Sequence, residues 1–238
     1  MFAWTEEMIR FMQAANAHVD YHRQLAQILT PKLSGCETIC DAGCGLGELS
    51  VALSGAFSHV TAADVSEAAL DALRKRLRAD GIGNVTPLCC DLLAAPCCEE
   101  YDAMIFCFFG RLSEIIPVAR RQCRRRIIVI KKNYEQHRFS LTQQPVRGET
   151  APRACQALRE AGIAFTFDEK TLEYGQPLAS LDEAVRFFQI YSRDTDPARI
   201  TPQAVLPLLR ETSDSVYPYY LPQPRQLGII TIEMEALR

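Results

Sequence analysis

The sequence predicts an α/β fold built on a doubly wound, mostly parallel sheet, and three observations predict it. From Glu37 to Lys132, short apolar runs alternate with helix-length amphipathic stretches, the pattern of strands joined by helical crossovers. A loop with glycines at 43, 45 and 47 follows the first of these runs directly. A closing apolar run, "GIITIEME", returns after a stretch of different texture over residues 180–225.

Two helices precede the first strand. Thr5 can cap the first, whose opening turn carries Glu6 and Glu7; the second puts Tyr21, Leu25 and Ile28 on one face and stops at Pro31. Strands are predicted over 38–41, 59–64, 84–91, 101–108 and 126–131. Between the second and third, "SEAALDALRKRLRADG" offers Ser66 as a cap, Leu70, Leu73 and Leu77 as one face, and Gly81 as the stop. After Lys132, Thr150 and Pro152 open a helix that Gly162 closes, and "AFTFDEKTLEYGQ" reads as a strand with alternating faces. Ser180 and Glu183 make a capping box ahead of Phe187, Phe188 and Tyr191, and Pro207 shortens the helix in "ITPQAVLPLLRE".

The chain has 238 residues, of which 48% are hydrophobic, enough for one full core and a small appended lobe. Lys and Arg total 26 against 29 Asp and Glu, so a net charge of -3 gives no field that would gather nucleic acid. The acidic residues of "MFAWTEEMIRFMQ" do not fit a signal peptide, and no apolar run approaches the roughly 18 residues of a membrane span. The expectation is a soluble, cytoplasmic protein without a membrane partner. Its ten cysteines read as reduced thiols, with Cys89, Cys90, Cys97 and Cys98 the readiest to oxidise. Cys36, Cys40 and Cys44 recur every four residues, which is not the C-x-x-x-C-x-x-C spacing of an iron–sulfur triad, and no Cys/His set has zinc spacing; no metal is expected.

Glycines at 43, 45 and 47 let the backbone turn tightly and approach a ligand. A dinucleotide fingerprint would need a third glycine where Glu48 stands, a carboxylate facing phosphate, and no Gly-Lys-Ser/Thr follows to make a P-loop. The loop therefore points to a cofactor without phosphate. Asp41, Gly43, Gly45 and Gly47, followed by Asp64 at the end of the second strand and Asp91 after the third, resemble the motifs of class I S-adenosylmethionine-dependent methyltransferases over about Thr38 to Lys132. The resemblance implies a seven-stranded Rossmann-like sheet and S-adenosylmethionine as cofactor, leaving S-adenosylhomocysteine. It also implies cofactor contacts from Asp41, Gly43, Cys44, Gly45, Gly47, Asp64, Val65, Asp91, Leu92 and Phe106. Asp64 would grip the ribose hydroxyls, Asp91 would lie near the adenine amine, and Asp41 would suit the cationic methionine end.

The division implied is a helical lid over 1–35, a cofactor-binding core over 36–179, a helical insertion capping the substrate over 180–225, and the last core strand over 226–238. Methyl transfer is an in-line displacement that alignment alone can drive far, so no strong base is obligatory. The fourth strand ends "FCFFGR", without the Asn/Asp-Pro-Pro-Tyr/Phe of enzymes that methylate base amines or glutamine amides. The expected acceptor is a small or medium organic molecule, with Phe108 and Tyr191 as candidates to touch it. Tyr21 and His22 are the catalytic candidates, His22 as a base with an ordinary pKa near neutrality, and equally a structural residue on its helix. Lys131, Lys132, Asn133 and Tyr134 either bind an anionic substrate or solvate a strand end. The arginines of "ARRQCRRR" precede the fifth strand, at the sheet edge away from the cofactor. The aromatics of the insertion fit a cap, a packed lobe or a homodimer contact alike. RNA or protein methylation would require a basic cleft; a non-catalytic cofactor-binding module and a nicotinamide oxidoreductase are the other readings.

Overall fold

The computed structural model describes residues 4–94, 99–194 and 196–237, so Cys97 and Cys98 lie outside the described residues. Strands β1 (Thr38–Ala42), β2 (His59–Asp64), β3 (Val85–Cys89), β4 (Tyr101–Cys107) and β5 (Cys123–Lys132) run parallel. The last strand, β10 (Pro224–Glu233), lies antiparallel between β5 and β6 (Thr166–Glu173), giving the order β3-β2-β1-β4-β5-β10-β6. The order turns outward in both directions from the β1–β4 pair, so the crevice at their carboxyl ends is the natural ligand site of this sheet.

Period-two alternation decides which side chains each layer receives. Ile128 and Ile130 of β5, with Leu227 and Ile229 of β10, join one apolar cluster with α2 (Tyr21–Leu29), α3 (Glu48–Leu53) and α4 (Glu67–Asp80). Ile127, Val129, Ile230 and Ile232 join the opposite cluster with α5 (Leu112–Gln122) and α6 (Ala151–Glu160). Caps appear where the sequence offers them: Thr5 Oγ1 accepts from the Met8 N–H at 3.2 Å ahead of α1 (Glu6–His18), and Ser66 Oγ from the Ala69 N–H at 3.3 Å ahead of α4. Gly81, with φ of +66°, ends α4.

The fifth strand starts at Cys123, three residues earlier than the apolar pattern implies, because its arginines find partners at the sheet's amino end. Arg124 pairs with Glu100 at 2.9 Å and Arg125 donates to the Gly35 carbonyl at 2.6 Å. Beside the helices of residues 180–225 lies a three-stranded antiparallel sheet that begins ahead of the expected boundary: β7 (Gln176–Leu178) and β8 (Arg210–Glu211) flank β9 (Tyr219–Leu221). With α7 (Leu181–Tyr191) and α8 (Pro202–Val205) it builds a third apolar cluster around Leu178, Phe187 and Phe188, to which α1 contributes Phe11. Ser180 Oγ accepts from the Glu183 N–H at 3.0 Å, and the Glu183 carboxylate reaches back to the Ala179 N–H, one residue beyond a standard capping box. Among the described residues no helix is long and apolar enough to cross a membrane.

Candidate cofactor and acceptor site

After β1 the chain turns through residues 43–47, where Gly43, Gly45 and Gly47 have φ of +71°, +56° and +71°. Side-chain-bearing residues resist this left-handed region. The Gly43 and Cys44 N–H groups both donate to the Ala63 carbonyl, at 2.8 and 3.0 Å, stapling the loop to β2. A Cβ on Gly43 would stand 2.4 Å from Phe109 Cγ, and one on Gly45 would stand 3.0 Å from Trp4 Cζ2. Gly47 works elsewhere: it caps α3, and a Cβ there would lie 2.5 Å from Leu73 Cδ2, so it permits the α3–α4 contact.

Three carboxylates surround this loop. Asp41 is 1% exposed, takes part in no ion pair among the described residues, and accepts from Ser50 Oγ at 2.6 Å. Burial pushes its carboxyl up to about 6, the Ser50 bond pulling the other way and the neighbouring Asp64 adding repulsion. Asp64 accepts from the Gly45 N–H at 2.8 Å with one oxygen and the Ser66 N–H at 2.9 Å with the other. Each oxygen keeps a second lone pair for a ligand hydroxyl. Asp91 accepts from the Leu93 and Ala94 N–H groups at 3.0 and 3.2 Å, which fixes the turn after β3.

These groups open on one cavity of roughly 650 Å³. Asp41, Gly43, Cys44, Gly45, Leu46, Glu48, Leu49, Asp64, Val65, Asp91 and Leu93 line it from β1 to β3 and the segments after them; Tyr21, His22, Cys107, Phe108, Phe109, Tyr174 and Arg225 complete it, with Trp4 and Met12 from the N-terminal segment. Of the residues expected at the site, Gly47, Leu92, Phe106 and Tyr191 do not line this cavity. Phe106 is fully buried on the α5/α6 side of the sheet, its ring stacked at 6.5 Å on Phe109, the ring that does reach the cavity. Leu92 is 2% exposed in the same cluster, and Leu93 takes the cavity position. Tyr191 packs on Phe11, Phe139 and Phe187 inside the insertion's own core.

Phe108 has φ of +56°, alone among the described non-glycine residues in being left-handed, while its N–H donates to the Ile130 carbonyl at 2.9 Å. A bulky residue in this conformation costs energy and marks a place where position outweighs comfort. The two catalytic candidates meet Tyr174 here: the His22 and Tyr21 rings lie edge to face at 4.8 Å, and Tyr174 stands 5.5 and 4.5 Å from them. Burial first, then the charges of Arg225 and Arg76, pushes His22 down to about 3, so its imidazole is neutral and weakly basic. Burial likewise raises the Tyr21 phenol and pushes the Cys107 thiol up to about 12, leaving no thiolate nucleophile at that position.

Lys131 and Lys132 part company. Lys131 turns to the Gly110 carbonyl and to Glu149 at 3.4 Å, on the far side of the sheet. Lys132 pairs across from Leu227 and so shares the cavity face with Arg225, two residues before Leu227. The sequence carried a signal for Arg225: its parity with Leu227 and Ile229 turns it inward, although the strand begins at Pro224, ahead of the expected boundary.

The family described as a methyltransferase domain matches residues 39–132. No curated protein matches the chain in sequence. Among solved structures the fold is similar to precorrin 8W decarboxylase of Methanobacterium thermoautotrophicum, at 20% identity and a TM-score of 0.53, covering 88% of each chain. It is also similar to a protein of Bacillus halodurans C-125, at 13% identity and a TM-score of 0.57, covering 89% of this chain and 97% of the other. A geranyl diphosphate methyltransferase in complex with S-adenosylmethionine matches at 16% identity and a TM-score of 0.51, covering 88% of this chain and 84% of the other. The matched segment begins in β1 and ends at the last residue of β5, taking in the glycine loop and all three carboxylates. Residues 39–132 thus carry a methyltransferase domain, set on a seven-stranded, mostly parallel sheet of the Rossmann-like type.

Proposed function

We propose that this chain moves the methyl group of S-adenosylmethionine to a small or medium organic acceptor by in-line displacement, within the cavity at the carboxyl ends of β1, β2 and β4. The observation that carries this reading is that one cavity is lined both by Asp41, Asp64 and Asp91 and by the rings of Tyr21, Phe108, Phe109 and Tyr174. The residues fit the cofactor: the glycines let the loop pass close against the Phe109 and Trp4 rings that line the same cavity, and a buried Asp41 with no ion pair among the described residues suits a cationic ligand. In this reading Asp64 takes the ribose hydroxyls, Asp91 the adenine amine, and Asp41 with the loop the methionine ammonium. When bound, S-adenosylmethionine supplies a methyl on a sulfonium; the chain's task is to hold the acceptor atom in line with it and keep water out. The N-terminal helices act as a lid and the insertion as a cap. A neutral, weakly basic His22 takes no proton from a poorly acidic group, so the acceptor brings its own nucleophile.

Calorimetric titration with S-adenosylhomocysteine, with NADH in parallel, tests the cofactor assignment: saturable binding of the former alone is expected, and binding of NADH alone would overturn it. Asp64→Ala is expected to weaken S-adenosylhomocysteine by about 1 to 3 kcal/mol through loss of charged hydrogen bonds. Part of that loss comes from freeing the Gly45 N–H, which Asp64 holds at 2.8 Å. Unchanged affinity in this variant would remove Asp64 from the site.

A further inference from the structure

The cavity is lined by a cation, Arg225, that forms no ion pair among the described residues. Arg225 opens β10 with its guanidinium against three rings, 4.3 Å from the Tyr174 centroid and 5.3 Å from those of Tyr21 and Phe108. Its Nε is buried without a hydrogen bond, and among the described residues it pairs with no carboxylate. Nearby, Arg138 lies over the Tyr134 ring at 5.4 Å with both Nη atoms buried and unbonded. Lys132, on the same sheet face as Arg225, likewise forms no ion pair among the described residues.

The acids nearby are held by neutral donors and form no ion pair with these three cations among the described residues, while Glu173 still acts on Arg138 through its charge. Glu173 accepts from Tyr220 Oη at 2.8 Å and the Gln223 N–H at 2.7 Å, Glu169 from Asn133 at 2.9 Å, and Asp194 from the Leu141 and Thr142 N–H groups. The cations act on one another: burial, then Arg193 and Arg225, lowers the Lys132 pKa, and burial, then Arg225, lowers that of Arg138. Half-buried positive charges gathered without an ion pair cost free energy that an anionic ligand would offset. Rings against a guanidinium leave its in-plane N–H donors to an oxyanion, in the fork geometry that suits a carboxylate or phosphate. The place in the sheet is also telling: β4 and β5 separate β10 from the β1–β3 ends that carry Asp41, Asp64 and Asp91.

We propose that the acceptor is an oxyanion-bearing molecule with an apolar, ring-sized body, its anionic group seated on Arg225 with Arg138 and Lys132 behind and its body against Phe108, Tyr21 and Tyr174. The proposal rests on the methyl-transfer reading above, and its test separates the two. Wild type, Arg225→Gln and Arg225→Lys are titrated by calorimetry with benzoate, phenyl phosphate and uncharged benzyl alcohol, with and without saturating S-adenosylhomocysteine. S-adenosylhomocysteine and methylthioadenosine, which lacks the amino-acid end, are titrated separately. Wild type is expected to bind an anionic probe at least about tenfold more tightly than benzyl alcohol, a preference that Arg225→Gln loses. Both adenosine ligands should keep their affinity in that variant. Benzoate ahead of phenyl phosphate assigns a carboxylate acceptor, and the reverse a phosphate.

Equal binding of charged and uncharged probes, or no anion binding by wild type, overturns the proposal. So does an Arg225→Gln variant that loses S-adenosylhomocysteine but keeps methylthioadenosine, which would give Arg225 to the cofactor's own carboxylate. If Arg225→Gln does not fold, Arg225→Lys decides, since a point charge without the fork should weaken the anion about threefold or more. Failure of S-adenosylhomocysteine to bind wild type sinks the methyl-transfer reading instead, and the probe titrations without it still judge Arg225.

Discussion

Asp41→Asn is expected to make the free protein more stable at pH 8 and less able to bind S-adenosylhomocysteine. The carboxyl, ordinarily near 3.8, is pushed to about 6 by burial, so ionising it inside the fold costs about 3 kcal/mol more than in the unfolded chain. The sign follows from proton counts. Between pH 4 and pH 6, roughly, the native state holds a proton that the unfolded state has released, so stability falls as pH rises through that window and stays lower above it. An asparagine keeps an oxygen to accept from Ser50 Oγ and carries no charge to bury. Thermal unfolding should therefore show the variant above wild type at pH 8, by up to about 3 kcal/mol, and level with it near pH 3. Binding should move oppositely: losing a charge-assisted bond to the ligand ammonium costs about 1.5 to 3 kcal/mol, roughly tenfold to a hundredfold in affinity. A variant no more stable than wild type at pH 8 would show that the Asp41 charge is not a burden on the free fold.

Gly43→Ala should damage both fold and site. The backbone there has φ of +71°, which costs an alanine about 1 to 2 kcal/mol. Its methyl would stand 2.4 Å from Phe109 Cγ and 2.8 Å from Phe109 Cβ, too close to the root of the side chain for a rotation of the ring to relieve. Overpacking of this kind adds about 1 to 3 kcal/mol. The displaced ring lines the cavity, so S-adenosylhomocysteine affinity should fall about a hundredfold or more, with a melting temperature lower by roughly 10 °C. Gly81→Ala is the control: φ is +66° and nothing lies within 4 Å of a new Cβ, so it should lose only about 1 to 2 kcal/mol of stability and bind normally. Normal binding by Gly43→Ala would mean that the loop does not face the cofactor.

What the sequence made legible was local and periodic. Strand-helix alternation from Glu37 to Lys132, the caps at Thr5 and Ser66 and the stop at Gly81 each depend on residues within a few positions of one another, as does the acid-and-glycine grouping around β1. The acceptor half depends on register and on distant contacts. Strand parity sends Phe106 to the α5/α6 side, and only the left-handed turn at Phe108 brings Phe109 round to the cavity, a change of course that no propensity announces. Tyr191 reads as a cap aromatic until Phe11, from the far end of the chain, is placed against it. Arg225 sits at a strand start, where a lone arginine reads as solvated; its aromatic surroundings come from α2, the end of β4 and the residue after β6.

The presence of Phe11 in the insertion's core has a mechanical consequence. Glu7 pairs with Arg186 at 2.9 Å and Arg10 with Glu183 on the same flank, while the Phe11 and Phe187 rings meet at 5.2 Å. Helix α1, whose Met12 lines the cavity, and the helices of residues 180–225 therefore share a single hydrophobic interior and gain or lose their order together. On the proposed reading of α1 as a lid, its hold on the cavity is anchored by a body clasped across the whole length of the polypeptide, and a change that loosens residues 180–225 loosens α1 with them.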